Sequence, residues 1–260
     1  MITTQYKKIF SQLSSRHGRK KSPYFIVEGV RCCLEGIQRR SEWLEAVFCS
    51  EEFHLAPPNQ RLFAALQQNR ILPQIISFKE LAEYGDTDTN AGILCLMRRP
   101  EKQLPALLPS GFCFILDQVR EPGNLGTILR TAWAVGLKSV WLTAGCADVY
   151  SSKVVRAGMG AQFALQLNIL PELSETVALF KKLGGRQIWC TLPDRGISVY
   201  SKEFNLEGSA LIIGNEANGI SAPAVGDAVT IPMPGHAESL NAAQAATIFL
   251  FEGVRRNILK

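Results

Sequence analysis

Apolar residues recur along the first hundred positions with two different periods. Ile2, Tyr6, Ile9 and Leu13 fall at helical spacing and predict a first helix with one buried face. Pro23 bars further helix, so residues 16–22, dense in Lys and Arg, read as a basic turn. Tyr24 to Val27 reads as a short strand. Val30, Cys33, Leu34 and Ile37, at i, i+3, i+4 and i+7, predict a second helix. Further strands are expected at 44–49, 72–77 and 92–97, with helices near 58–69 and 78–84. Together these make an α/β domain of about ninety residues, within the usual domain range.

Pro100, Pro105 and Pro109 mark residues 99–111 as a stiff linker. Beyond it the strands are more apolar, at 112–116, 139–143, 165–169, 187–191, 210–213 and 229–231, and helices fit between most of them. That alternation predicts a largely parallel sheet covered on both faces. The expected organisation is therefore a smaller α/β domain over 1–98, a linker over 99–111 and a parallel-sheet α/β domain over 112–260. On such sheets ligands bind outside the carboxyl ends of the strands, so the loops after strands are where chemistry is expected. The last predicted helix, 242–254, is apolar nearly all round and must be buried on most sides, either within one core or against a second subunit.

Composition narrows the classes. Hydrophobic residues make up 47% and charged residues 20% of 260, as in ordinary globular chains, and no apolar run reaches membrane-spanning length. Met1 to Phe10 lacks a hydrophobic stretch behind a basic flank, so neither a membrane partner nor a secretory leader is expected, and the location is expected to be cytoplasmic. Seven scattered cysteines without a C-x-x-C argue against a zinc site or a disulfide framework and predict reduced core thiols. His17, His54 and His236 have no metal-ligand spacing, and no metal is expected. The net charge of +5 is uneven: residues 1–40 hold nine Lys or Arg against Glu28 and Glu35. A basic end on a nearly neutral body points to a polyanion partner, with Arg19, Lys20 and Lys21 as its first contacts; a solvated tail is the alternative.

Three post-strand loops carry candidate chemistry. After 112–116 comes Asp117 to Ala132, in which Pro122 and Gly123 make a turn, Asn124 stands near a helix start and Arg130 follows six residues later. After 210–213 comes Gly214-Asn-Glu-Ala-Asn-Gly219, a glycine-bounded turn holding Glu216. After 229–231 comes Pro232-Met-Pro-Gly-His-Ala-Glu-Ser-Leu-Asn241, which leads into the last helix. The N-x-x-x-x-x-R spacing, the G-x-E-x-x-G turn and the I-P-M…S-L-N stretch, in this order, resemble the three motifs of the SpoU (TrmH) RNA 2′-O-ribose methyltransferases of the SPOUT superfamily. Phe25-Ile-Val-Glu-Gly29 followed by a helix is similar to the ribosomal-protein-like substrate-binding domain of the ribosomal-RNA branch. Many relatives have Asp where this chain has Glu121, which keeps the carboxylate on a longer arm.

The resemblance implies a SPOUT fold with a deep trefoil knot in its parallel-sheet domain, a homodimer, and S-adenosyl-L-methionine as the methyl donor. It implies methylation of a ribose 2′-hydroxyl in RNA, with large-subunit ribosomal RNA preferred and transfer RNA as runner-up. It makes Arg130, Asn124, Glu216, Ser239 and Asn241 the catalytic set. Gly214, Ile231, Met233 and Leu240 would cradle the cofactor, and Lys153 and Arg156 would contact RNA.

The chemistry of these side chains agrees with such roles. Methyl transfer needs an in-line hydroxyl and stabilised developing charge. Arg130, which keeps its proton, suits a phosphate-orienting, charge-stabilising part and leaves the proton acceptor unassigned. Plainer parts exist too: Asn124 could cap a helix, Glu216 could be a solvated turn carboxylate, and Ser239 or Asn241 could cap the last helix.

Other classes fit less well. A dinucleotide-dependent oxidoreductase needs G-x-G-x-x-G after an early strand, and Gly158-Met-Gly160 is followed by Phe163 where the third glycine belongs. A catalytically inactive RNA-binding relative would not need the full polar set.

Overall fold

The computed structural model describes residues 2–55, 60–85 and 91–259, and they form two compact units. One comprises residues 1–101 with 150–163, the other 102–149 with 164–260. The start of the helix expected near 58–69 lies outside the described residues.

In the first unit, α1 (Thr4–Ser14) buries Phe10 and Leu13 and is capped by the Thr3 hydroxyl. The expected basic turn is instead a short helix, α2 (Arg16–Lys21). The Ser15 side chain accepts from Gly18 N–H at 2.9 Å and so starts a new turn before Pro23 can interfere. Next come β1 (Tyr24–Glu28), α3 (Val30–Arg39), β2 (Leu44–Ser50), α4 (Glu51–Leu55), α5 (Gln60–Gln68), β3 (Gln74–Ile76), α6 (Phe78–Ala82) and β4 (Ile93–Arg98). The sheet order is β1-β4-β2-β3, with β4 antiparallel to both neighbours and β3 parallel to β2. β4 is central and buried from Ile93 to Met97, which is why it reads as a continuous apolar run.

The second unit starts with β5 (Cys113–Leu116), α7 (Pro122–Ala134) and β6 (Ser139–Thr143). The chain then returns to the first unit, where α8 (Ser152–Ala157) packs on β1 and Phe25 meets Tyr150 with ring centroids 4.9 Å apart. Back in the second unit follow β7 (Gln166–Leu170), α9 (Leu173–Lys182), β8 (Ile188–Thr191), β9 (Ile197–Ser198), β10 (Ala210–Ile213), β11 (Asp227–Thr230) and α10 (Ala242–Arg255). The seven strands are parallel throughout, in the order β7-β6-β5-β10-β8-β11-β9. β9, two residues long, carried too short an apolar pattern to be foreseen.

α10 packs on α7 and buries Ala246, Phe249 and Leu250 within its own unit, with the Phe249 ring 6.0 Å from Phe204. Phe251 (53% exposed) and Val254 (37%) are what it turns outward. Its last turn is pinned by Glu252, which is 4% exposed and accepts from Arg255 and Arg256; Arg256 also donates to the carbonyls of Val199, Ser201 and Phe204. All seven cysteines are unbonded thiols, and six are buried. Burial pushes the Cys32 thiol up to about 12 and Cys146 up to about 11. No described helix is long and apolar enough to cross a membrane.

Candidate active site

Strand order places the ends of β6, β5, β10 and β8 side by side, so the loops that follow them share one edge of the sheet. The loop after β5 enters α7 through Glu121, whose side chain accepts from Asn124 N–H as the helix cap. Capping therefore falls to Glu121, and the Asn124 side chain is left for other work. Its Nδ2 donates to Glu216 Oε1 at 2.9 Å. Its Oδ1 accepts from Asn241 Nδ2 at 2.9 Å. Asn241 in turn caps α10, accepting from Ala243 N–H at 2.8 Å. Side chains from three separate loops, at positions 124, 216 and 241, thus form one continuous chain of hydrogen bonds.

Local chemistry shapes the turn that carries Glu216. Asn215 and Gly219 exchange backbone hydrogen bonds of 2.8 and 3.0 Å, and Asn215 Oδ1 accepts from the N–H groups of Ala217 and Asn218. Gly219 has φ +66°, a conformation that suits glycine, and a Cβ on Gly214 would sit 2.4 Å from the Gly219 carbonyl carbon. The two glycines thus let the strand end and the returning chain touch, and the closed turn lifts an exposed Glu216 toward α7.

Beside this cluster lies a cavity of about 310 Å³, inside the second unit. Of the sequence-derived cofactor residues, Gly214, Ile231, Met233 and Leu240 all line it, as do Glu216 and Ser239. The loop after β8, with Thr191, Leu192 and Pro193, forms another wall that sequence reading missed, as does Glu238. Placement after a strand was the only available signal for that loop, since its residues carry no distinctive chemistry. Asn124 and Asn241 are joined to the cavity through Glu216 and do not line it. Arg130 lies exposed on α7 and makes no hydrogen bond or ion pair among the described residues.

The basic residues divide in the first unit. Arg19 donates to the carbonyls of Leu13 and Ser14 at 3.0 Å each, closing the end of α1. Arg39 pairs with Glu35 at 2.8 Å, and the Arg40 guanidinium lies 5.3 Å from the Trp43 ring centroid. Lys20 and Lys21 on α2, Lys7 and Lys8 on α1, and Lys153 and Arg156 on α8 are exposed. Among the described residues no group of three or more His, Cys, Asp or Glu is gathered as a metal would need.

The parallel α/β unit that carries this cavity and polar cluster matches the fold of solved SPOUT methyltransferase structures. Comparison with known proteins gives the particular family. The SpoU rRNA Methylase family model matches residues 111–251. The human mitochondrial rRNA methyltransferase 3 is 31% identical over 95% of this chain and 71% of its own length. The Bacillus subtilis 23S rRNA (guanosine(2553)-2′-O)-methyltransferase RlmP is 28% identical over 95% of each chain. Among solved structures, the SpoU methyltransferase AviRb of Streptomyces viridochromogenes, in complex with the cofactor AdoMet, aligns with TM-score 0.82 and 26% identity over 98% of this chain and 99% of that one. The chain belongs to the SpoU rRNA methylase family, and it is an RNA methyltransferase.

Proposed function

We propose that this protein transfers a methyl group from S-adenosyl-L-methionine to a ribose 2′-hydroxyl of large-subunit ribosomal RNA. The observation that carries the reading is the hydrogen-bonded chain of Asn241, Asn124 and Glu216 beside the cavity. Pure RNA binding requires no such convergence of three loops. RlmP, a 23S rRNA 2′-O-methyltransferase by name, matches over nearly its whole length, which favours ribosomal RNA.

The cavity suits the cofactor. Its volume falls at the lower end of ligand pockets, and it combines an apolar wall with a few polar groups. Ile231, Met233 and Leu240 offer apolar surface for an adenine, and Gly214 and Glu216 add polar groups to the same wall. When bound, S-adenosylmethionine supplies an electrophilic methyl carbon.

The chain's own residues do the rest. Glu216 holds the Asn124 amide, and Asn241 fixes that amide's other end, so the loop entering α7 is set before RNA arrives. The Arg130 guanidinium, unpaired among the described residues, takes a phosphate of the substrate and stabilises charge that develops beside it. Ser239, exposed at the cavity wall, offers the nucleotide a hydroxyl. The first domain, over 1–98, supplies RNA affinity through the lysines of α1 and α2, with Lys153 and Arg156 adding contacts from α8. Two copies associate through the outward face of α10, where Phe251 and Val254 are exposed. The trefoil knot belongs to the same reading and rests on the family to which the chain belongs. The expected cytoplasmic location goes with a ribosomal RNA substrate.

Incubation with labelled S-adenosylmethionine and ribosomal RNA, followed by digestion to nucleosides, tests the reading. Label in a 2′-O-methylnucleoside of large-subunit RNA is the expected result. Label on a base would overturn the ribose assignment, label in transfer RNA alone would move the substrate, and no label with cofactor bound would mark an inactive relative.

A further inference from the structure

Asp117, just past β5, is fully buried and lies outside the polar set discussed above. Its Oδ1 accepts from the Thr143 hydroxyl at 3.1 Å and its Oδ2 from Ser221 N–H at 2.7 Å, while its own N–H donates to the Ile213 carbonyl at 2.8 Å. Asp117 therefore joins the end of β5 to β10 through its backbone, and its carboxylate holds the end of β6 and the chain returning at Ser221. The Thr143 hydroxyl spends its single proton on Asp117, so its lone pairs face outward, and one accepts from Gln118 N–H at 3.0 Å.

Gln118 is the informative residue. It has φ +55°, a conformation that a side chain of its kind holds only where the surroundings dictate it. In that conformation its carbonyl accepts from Asn215 Nδ2 at 2.8 Å. The same Nδ2 donates to Glu216 Oε2 at 3.3 Å, next to the carboxylate oxygen that holds Asn124. A hydrogen-bonded relay thus runs from the buried carboxylate through Thr143, Gln118 and Asn215 to Glu216.

We propose that Asp117 and Thr143 are positioning residues for methyl transfer: they fix the Gln118 turn and, through Asn215, the aim of the Glu216 carboxylate at Asn124. The inference deepens the methyltransferase reading and rests on it for its kinetic consequence, though its geometric core does not depend on activity. Neither residue touches substrate or lines the cavity. Their effect on catalysis passes through Glu216, and that separates it from the support Asp117 also gives the sheet through Ile213 and Ser221.

Thr143→Val keeps the shape of the side chain and removes the hydroxyl, and Thr143→Ser restores it. With ribosomal RNA, Thr143→Val is expected to lower kcat roughly 10- to 100-fold, the range seen when the support of a reacting group is removed. KM for RNA should change little, and Thr143→Ser should recover most of the rate. In a Glu216→Ala background the valine should add almost nothing, because the group it misaligns is gone. A normal kcat in Thr143→Val overturns the proposal, as does an equal loss in the Glu216→Ala background without rescue by serine. Should Thr143→Val fail to fold, Asp117→Asn takes its place, since its amide cannot accept on both sides. Hydrogen exchange of the Asn215 side-chain amide separates this test from the methyltransferase reading. Exchange at least about tenfold faster in the variant supports the relay even if no RNA is methylated, and unchanged exchange refutes it even if activity falls.

Discussion

Gly214→Ala offers the sharpest test of how the Glu216 turn is built. A Cβ at this position would stand 2.4 Å from the Gly219 carbonyl carbon, 2.5 Å from Ile220 N and 2.7 Å from Gly219 O, where ordinary contact begins at 3.4 Å. All three atoms are backbone, so no side chain can swing away, and the two strands of the turn must part by about an ångström. The bonds of 2.8 and 3.0 Å between Asn215 and Gly219 cannot survive that separation. Losing two backbone bonds costs about 1–3 kcal/mol, and the overpacking itself costs a similar, overlapping amount. A total of about 2–4 kcal/mol corresponds to a melting point lower by roughly 5–15 °C for a unit of this size. The turn also walls the cavity, so affinity for S-adenosylmethionine should fall at least about tenfold, which needs only about 1.4 kcal/mol. Thermal melts with and without cofactor, beside calorimetry, supply both numbers. A variant that melts within about a degree of wild type and binds the cofactor normally would refute the close approach as the reason for glycine.

Four further outcomes are expected. Arg130→Ala should abolish nearly all turnover while calorimetry finds cofactor affinity unchanged, because the guanidinium acts on the RNA side. Replacing Lys20 and Lys21 with Gln should weaken RNA binding and flatten its salt dependence, by about 0.7–0.9 in slope for each phosphate no longer neutralised, with the cofactor titration unaffected; Arg19→Gln should in addition lower the melting point, since that side chain closes α1. Glu252 is held below the usual carboxylate range by its hydrogen bonds to Arg255 and Arg256. Its stabilisation is therefore present at neutral pH and lost as pH falls through its lowered folded value, so the melting-point gap between wild type and Glu252→Gln should be widest near pH 7 and narrow below about pH 4.5. Phe251→Glu should convert dimer to monomer in equilibrium sedimentation while each chain stays folded, whereas a wild-type protein already monomeric at micromolar concentration would remove that interface.

Much of this was legible because the second domain buries its strands on both faces. The runs at 113–116, 139–143 and 210–213 can be read as strands from apolarity alone, and the segments after 116, 213 and 231 are where Asn124, Glu216 and Asn241 meet. The residues that the family resemblance marks for the cofactor, at 214, 231, 233 and 240, all line one cavity. What stayed hidden depends on tertiary hydrogen bonds. Whether Asn124 caps a helix or reaches across to Glu216 is decided by Glu121, which takes the cap first. Asp117 looked like one more loop residue until its burial between Thr143 and Ser221 appeared. Likewise the basic segment read as a turn because Pro23 dominates the local pattern, whereas one serine cap sufficed to wind six residues into α2.

Ribose-methylation mapping across total RNA, from cells with and without this gene, puts the methyl-transfer reading to a direct test. One 2′-O-methyl mark in large-subunit ribosomal RNA should disappear with the gene, return with the wild-type chain and fail to return with Arg130→Ala. An unchanged large-subunit pattern, or a mark restored equally well by Arg130→Ala, would contradict it.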